Sequence, residues 1–231
     1  MFKGLKKLFK KHKEEKEEKE KKEKEEIIFS NKLISLIGPS SVGKTAFFQV
    51  FTNNEISSNI TQSMGIDLRS SEDNSFELVD TCGNIGYFKI MQDFKDIIKR
   101  CHIFLYLYND VPETYQLKTI NQYIDIIKKG KEEFAEKNTK IMNKLEKKCF
   151  FFMLQIKREN KKININIDQT IKELNKSYSS NNYFFKYAGS MLLNNNSKGE
   201  IVYLLKKVIN PETFEISKDV EKSDCYSYIK K

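Results

Sequence analysis

The chain has 231 residues, 39% hydrophobic and 12% aromatic, which suits one folded domain with short extensions and is too apolar for a disordered chain. Its formal charge of +9 is uneven: the first 26 residues carry +3 and the rest only +6, too dilute for a nucleic-acid surface, so DNA and RNA are set aside as partners. No apolar run reaches the roughly 18 residues of a membrane span and no signal-peptide pattern opens the chain; four cysteines without C-x-x-C spacing and two distant histidines spell neither a disulfide framework nor a zinc site, as in a reduced, cytoplasmic protein.

Residues 1–13, MFKGLKKLFKKHK, place Met1, Phe2, Leu5, Leu8 and Phe9 on one helical stripe and lysines on the other side, the composition of a helix lying on an anionic membrane surface. Phe2 excludes N-myristoylation. Residues 14–26, EEKEEKEKKEKEE, are a low-complexity spacer in which Glu-to-Lys pairs at i,i+4 favour a solvated helix. A folded domain is expected over 27–210, with a loose tail over 211–231.

Within that domain strand and helix signals alternate. Residues 32–37 (KLISLI) read as a buried strand and Lys44 to about Thr52 as a helix. Residues 65–70 and 75–79 read as two strands close enough to form a hairpin. The continuous apolar runs 102–108 (HIFLYLY) and 149–155 (CFFFMLQ) read as central strands covered on both faces. A helix is expected over roughly 114–147, with Ile120, Tyr123, Ile124 and Ile127 at core spacing, and a last strand over 183–187. Ser197 to Glu200 reads as a capping box opening a helix with Ile201, Leu204, Leu205 and Val208 inward, stopped by Pro211. KININID (162–168) alternates like a strand but finds no place in this order. The expected fold is α/β: a mostly parallel, six-stranded sheet with helices on both faces.

Between the first strand and its helix, Gly38-Pro39-Ser40-Ser41-Val42-Gly43-Lys44-Thr45 fits G-x-x-x-x-G-K-[ST]. Glycines let the backbone curl so that successive amides, including those of Ser40, Ser41, Val42 and Ala46, point at phosphate oxygens. Lys44 supplies a cation to the terminal phosphates, and the Thr45 hydroxyl takes one position on Mg²⁺ at a helix N-terminus. This is the signature of a P-loop NTPase.

On these residues the chain resembles the Ras superfamily of small GTPases, the Rab branch most closely. KLISLIGPSSVGKTAFF is similar to the Rab first strand, phosphate loop and first helix, and Ser63-Met64-Gly65-Ile66-Asp67-Leu68 to the Rab switch segment T-I-G-x-D-F. Asp80-Thr81-Cys82-Gly83 fits the D-T-x-G that ends the third strand. Tyr187-Ala188-Gly189 lies where the family has S-A-K. The resemblance implies GTP or GDP bound with Mg²⁺. The metal would be held by Thr45, Ser63 and Asp80, Gly83 would sense the terminal phosphate, and the base would lie near Gln155, Lys157 and Ala188. It further implies a monomeric switch in intracellular membrane traffic that meets effectors and regulators through 54–68 and 81–92.

The departures bear on chemistry. Where N-K-x-D is expected, the chain reads Gln155-Ile156-Lys157-Arg158, and Arg158 cannot accept the two hydrogen bonds by which an Asp selects guanine; Glu159 could substitute only in a loop shifted by one residue. Asn84 stands where a Gln orients the attacking water and is one methylene shorter, so hydrolysis, with Lys44 and Asn84 as its catalytic side chains, is expected to be slow. Cys225 is followed by six residues, which does not fit prenylation, and moves the expected membrane anchor to residues 1–13. Three readings stay open: a slow Rab-like GTPase, a catalytically inactive scaffold on the same fold, and, less well supported, a P-loop kinase or ATPase.

Overall fold

The computed structural model describes residues 32–57, 65–86, 97, 101–109, 113–137, 148–157, 167–178, 180 and 182–215. The basic N-terminal stripe, the charged spacer, Ser63, Arg158 to Asn160 and the end of the tail lie outside the described residues.

Six strands form one sheet: β1 Lys32–Ile37, β2 Ile66–Ser70, β3 Phe76–Thr81, β4 Ile103–Tyr108, β5 Cys149–Lys157 and β6 Tyr183–Leu192, in the spatial order β2-β3-β1-β4-β5-β6. β1, β4, β5 and β6 run parallel, while β2 and β3 form the expected antiparallel hairpin. The four described helices are α1 Lys44–Asn53, α2 Glu113–Lys137, α3 Ile167–Tyr178 and α4 Lys198–Val208. As the continuous apolar runs predicted, β4 is buried along its whole length.

Strand alternation splits the core in two. Leu36, Leu105, Leu107, Phe152 and Leu154 face Phe47, Val50 and Phe51 of α1 and Ile201, Leu205 and Val208 of α4. Phe104, Tyr106, Phe151 and Met153 face Ile120, Tyr123, Ile124 and Ile127 of α2 and Leu174 of α3. On that second face the rings of Phe104, Phe151 and Phe185 stack across three neighbouring strands, with centroids 5.0 and 4.8 Å apart. α1 closes on Asn54, which takes the left-handed conformation at φ 60 and returns its amide to the Val50 carbonyl at 3.2 Å.

Several expectations change. α3 takes in Ile167 and Asp168, so the end of KININID opens a helix rather than continuing a strand. Its apolar residues Ile167, Ile171, Leu174 and Tyr178 make a narrow stripe. Asn175 fixes it to the sheet, donating to the Phe185 carbonyl at 2.8 Å and accepting the Phe185 amide at 2.9 Å. β5 runs two residues past Gln155, and β6 is ten residues long. The two stay paired to Lys157 opposite Leu192, across a bulge in which Ala188 is the extra residue between Tyr187, opposite Met153, and Gly189, opposite Leu154. Gly189 has φ +99, a value that suits a residue without Cβ.

The capping box does not form. Ser197 has helical φ and ψ, and its hydroxyl accepts the Asn194 amide at 3.1 Å and donates to the Leu192 carbonyl at 3.1 Å. The hydroxyl closes the turn after β6 instead of capping α4. Nor is the chain loose just after Pro211: Pro211 and Phe214 are buried, Phe214 meets the Phe152 ring at 4.7 Å, and the Lys186 ammonium donates to the Pro211 carbonyl at 2.7 Å.

Candidate functional site

The carboxyl ends of β1, β4, β5 and β6 share one edge of the sheet, where α/β folds place their ligands. Out of β1 the chain enters residues 38–45. Gly38 (φ +137), Ser41 (φ +61) and Gly43 (φ +103) all take left-handed backbone, which turns the intervening amides inward. A Cβ on Gly38 would run into the Leu107 carbonyl of β4. Val42 is buried in the core and anchors the loop, while Ser40 and Ser41 stay exposed. Gly43 caps α1, accepting the Phe47 amide at 2.8 Å, and the first turn of α1 holds no acidic residue to satisfy its N-terminal charge. Ala46 is buried beneath that turn.

Lys44 is only 5% exposed, and its ammonium donates to the Gly38 and Pro39 carbonyls at 2.9 and 2.8 Å. Burial pulls its pKa down to about 8, although Asp80 and Cys82 pull the other way. Thr45 donates its hydroxyl to Asp80 Oδ2 at 2.8 Å, while Asp80 Oδ1 is buried with no hydrogen-bond partner among the described residues. A buried carboxylate oxygen with an open coordination direction, beside a hydroxyl, is a donor set suited to a hard divalent cation. Thr45 and Asp80 therefore fit Mg²⁺, and the third expected ligand, Ser63, lies outside the described residues.

Burial pushes the Asp80 carboxyl up to about 6, against the Thr45 hydrogen bond and the Lys44 charge. A folded-state pKa above the unfolded 3.8 contributes stability that is fully present below pH 3.8 and lost as pH rises through about 6. Nucleotide-free Asp80→Asn should therefore gain on the wild type by about 2 kcal/mol between pH 4 and pH 7.5. Urea midpoints of the two proteins at both pH values measure it; a constant gap would show that the buried charge costs nothing.

Beyond Asp80, Gly83 presses on the loop. A Cβ there would lie 2.5 Å from the Lys44 ammonium and 2.8 Å from Ser40 Cα, so only hydrogen fits. Asn84 is exposed, and its Oδ1 accepts the Gly86 amide at 2.9 Å, closing a local turn. Sequence reasoning missed Tyr123. Its ring packs in the core at the helical spacing that was legible, but its hydroxyl donates to the Gly38 carbonyl at 2.7 Å and approaches the Gly83 carbonyl at 3.5 Å. One phenol thus bridges the phosphate loop and the segment after β3. The only sequence signal was a tyrosine among isoleucines in a buried stripe, where the hydroxyl needs a partner.

The three expected base residues lie on strands. Gln155 and Lys157 belong to β5, half-buried and exposed respectively, and Ala188 is the buried bulge residue of β6. Lys44, Thr45, Asp80 and Gly83 do converge. Among the described residues no helix is long and apolar enough to cross a membrane.

Against known proteins, residues 33–151, just over half of the chain, match the sequence model of the family described as 50S ribosome-binding GTPase. No curated protein matches the chain.

Proposed function

Because this chain belongs to the 50S ribosome-binding GTPase family, we propose that it is a nucleotide-dependent switch that takes GTP or GDP with Mg²⁺ and hydrolyses GTP slowly. The convergence of Lys44, Thr45, Asp80 and Gly83 at one edge of the sheet carries the reading. Lys44 would exchange its two carbonyl partners for phosphate oxygens. Thr45 and Asp80 would hold the metal, which when bound neutralises charge on the phosphates. Gly83, already against the ammonium, must yield to a terminal phosphate, which would couple nucleotide state to the segment that follows it. Slow hydrolysis follows from Asn84, whose short side chain is engaged with Gly86 rather than directed to a water.

The resemblance of residues 63–68 and 80–83 to the Rab switches supports a Rab-like role in membrane traffic. Effectors would meet 54–68 and 81–92, and the basic stripe over 1–13 would rest on anionic lipid. The family description supports a second reading, a switch on the large ribosomal subunit. Co-sedimentation with ribosomal subunits, set against pelleting with anionic vesicles, separates the two. The core proposal is tested by titrating the protein with GTP in Mg²⁺ or EDTA and following phosphate release over many turnovers. EDTA should weaken binding at least about tenfold, and turnover should stay near or below about 10⁻³ s⁻¹. Absence of binding to GTP and GDP with Mg²⁺ present overturns the proposal.

A further inference from the structure

The Gly38 carbonyl accepts two donors in the interior of the protein: the Lys44 ammonium at 2.9 Å and the Tyr123 hydroxyl at 2.7 Å. A carbonyl oxygen has two lone pairs, so both are taken. Neither the carbonyl nor the phenol can shift easily. Gly38 lies at φ +137, with no room for a Cβ beside the Leu107 carbonyl of β4. Tyr123 is fully buried among Ile120, Ile124 and Ile127, and its ring stands edge-on to that of Tyr106 at 6.3 Å. The phenol has one proton to give. At 2.7 Å that proton goes to Gly38, since the Gly83 carbonyl, at 3.5 Å, is too distant for a strong bond.

The two donors part ways when phosphate arrives. Lys44 is the cation of the loop and exchanges its carbonyl partners for phosphate oxygens. Tyr123 belongs to α2, which packs on the face of the sheet opposite α1, and its hydroxyl stays where it is. With Lys44 turned away, the Gly38 carbonyl keeps one donor. Without the phenol it would keep none, and a buried acceptor left unsatisfied costs more than an average hydrogen bond contributes. The Pro39 carbonyl is given up as well, but that loss is the same with or without Tyr123. The hydroxyl therefore matters little to nucleotide-free protein, where the ammonium alone can satisfy Gly38, and much more once the ammonium has left.

We propose that Tyr123 is a positioning residue of the phosphate loop: its hydroxyl holds the Gly38 carbonyl while Lys44 turns to phosphate, and so favours the nucleotide-bound loop over the free one. The effect lies at the phosphates and extends to any polyphosphate that draws Lys44 away. The inference rests on residues 38–45 being a nucleotide site, and the experiment separates the two.

Full-length wild type, Tyr123→Phe and Tyr178→Phe are titrated with Mg²⁺ complexes of GTP and of inorganic tripolyphosphate. Tyr178 is the control, because its hydroxyl donates to Asn121 Oδ1 of α2 at 3.1 Å rather than to the loop. Tyr123→Phe should weaken both probes by about tenfold, and Tyr178→Phe neither. Urea unfolding without nucleotide adds a readout that a merely structural role would not move. Tyr123→Phe should lower the midpoint at least about twice as far in a Lys44→Ala background as in the wild type, because only there is the phenol the last donor to Gly38. Three results overturn the role of Tyr123 and leave the nucleotide reading standing: Tyr123→Phe binding both probes within about twofold of the wild type, equal weakening by Tyr178→Phe, or the same midpoint loss in both backgrounds. A wild type that binds neither probe overturns the nucleotide reading, and the assignment of Tyr123 with it.

Discussion

Gly38→Ala is expected to destabilise the protein by about 3 kcal/mol or more, among the larger effects a single methyl group can have. At φ +137 an L-residue is strained by roughly 1–3 kcal/mol, and the new methyl would meet the Leu107 carbonyl, a backbone atom inside β4 that cannot swing aside. Relief would have to come from moving the loop. The Gly38 carbonyl already accepts from both Lys44 and Tyr123, so that movement would loosen two buried donors as well. With a denaturant slope of about 2–3 kcal/mol/M, the urea midpoint should fall by about 1 M. A fall below about 0.3 M would show that the phosphate loop relaxes at little cost.

Lys44→Ala should do the reverse: nucleotide affinity falls by at least about a hundredfold, through loss of charge-assisted hydrogen bonds to phosphate, while the fold hardly changes. The reason lies in the burial of the ammonium. A buried ammonium with its pKa pulled from 10.5 to about 8 is a cost to the folded state below pH 8, and that cost fades as pH rises toward 10.5. Removing the side chain relieves it at neutral pH, and one of the two carbonyls it leaves, that of Gly38, keeps the Tyr123 hydroxyl. The two effects oppose each other, so unfolding free energy should stay within about 1 kcal/mol of the wild type. Titration with Mg·GTP and urea unfolding of the same preparation measure both. A variant that binds as the wild type does would remove Lys44 from the site.

The phosphate end of the site was legible because its chemistry is written locally. Glycines at fixed spacing are demanded by left-handed backbone at 38 and 43, and Lys44 and Thr45 follow directly at the start of a helix. Asp80 was legible through the likeness of Asp80-Thr81-Cys82-Gly83 to the D-T-x-G of small GTPases. The sheet was legible too, since β4 and the first six residues of β5 are unbroken apolar runs. The other end depends on pairing between strands about thirty residues apart, and no local pattern reports it. An apolar run ending at Gln155 does not reveal two more ladder positions. The last strand was expected to end at Tyr187, although its pairing continues to Leu192. α3 was hidden because its apolar stripe is narrow and preceded by an alternating segment. Tyr123 was read only as core, since spacing locates a ring but says nothing of its hydroxyl.

The surplus residue at Ala188 has one more effect. β6 is the last strand in the order of the sheet, and ten regularly pleated residues at a rim offer evenly spaced amides and carbonyls to which a strand of another molecule can add. The bulge divides that rim into runs of five and four residues with mismatched phase. A straight foreign strand can match only one of them, so the irregularity guards the protein against edge-to-edge aggregation.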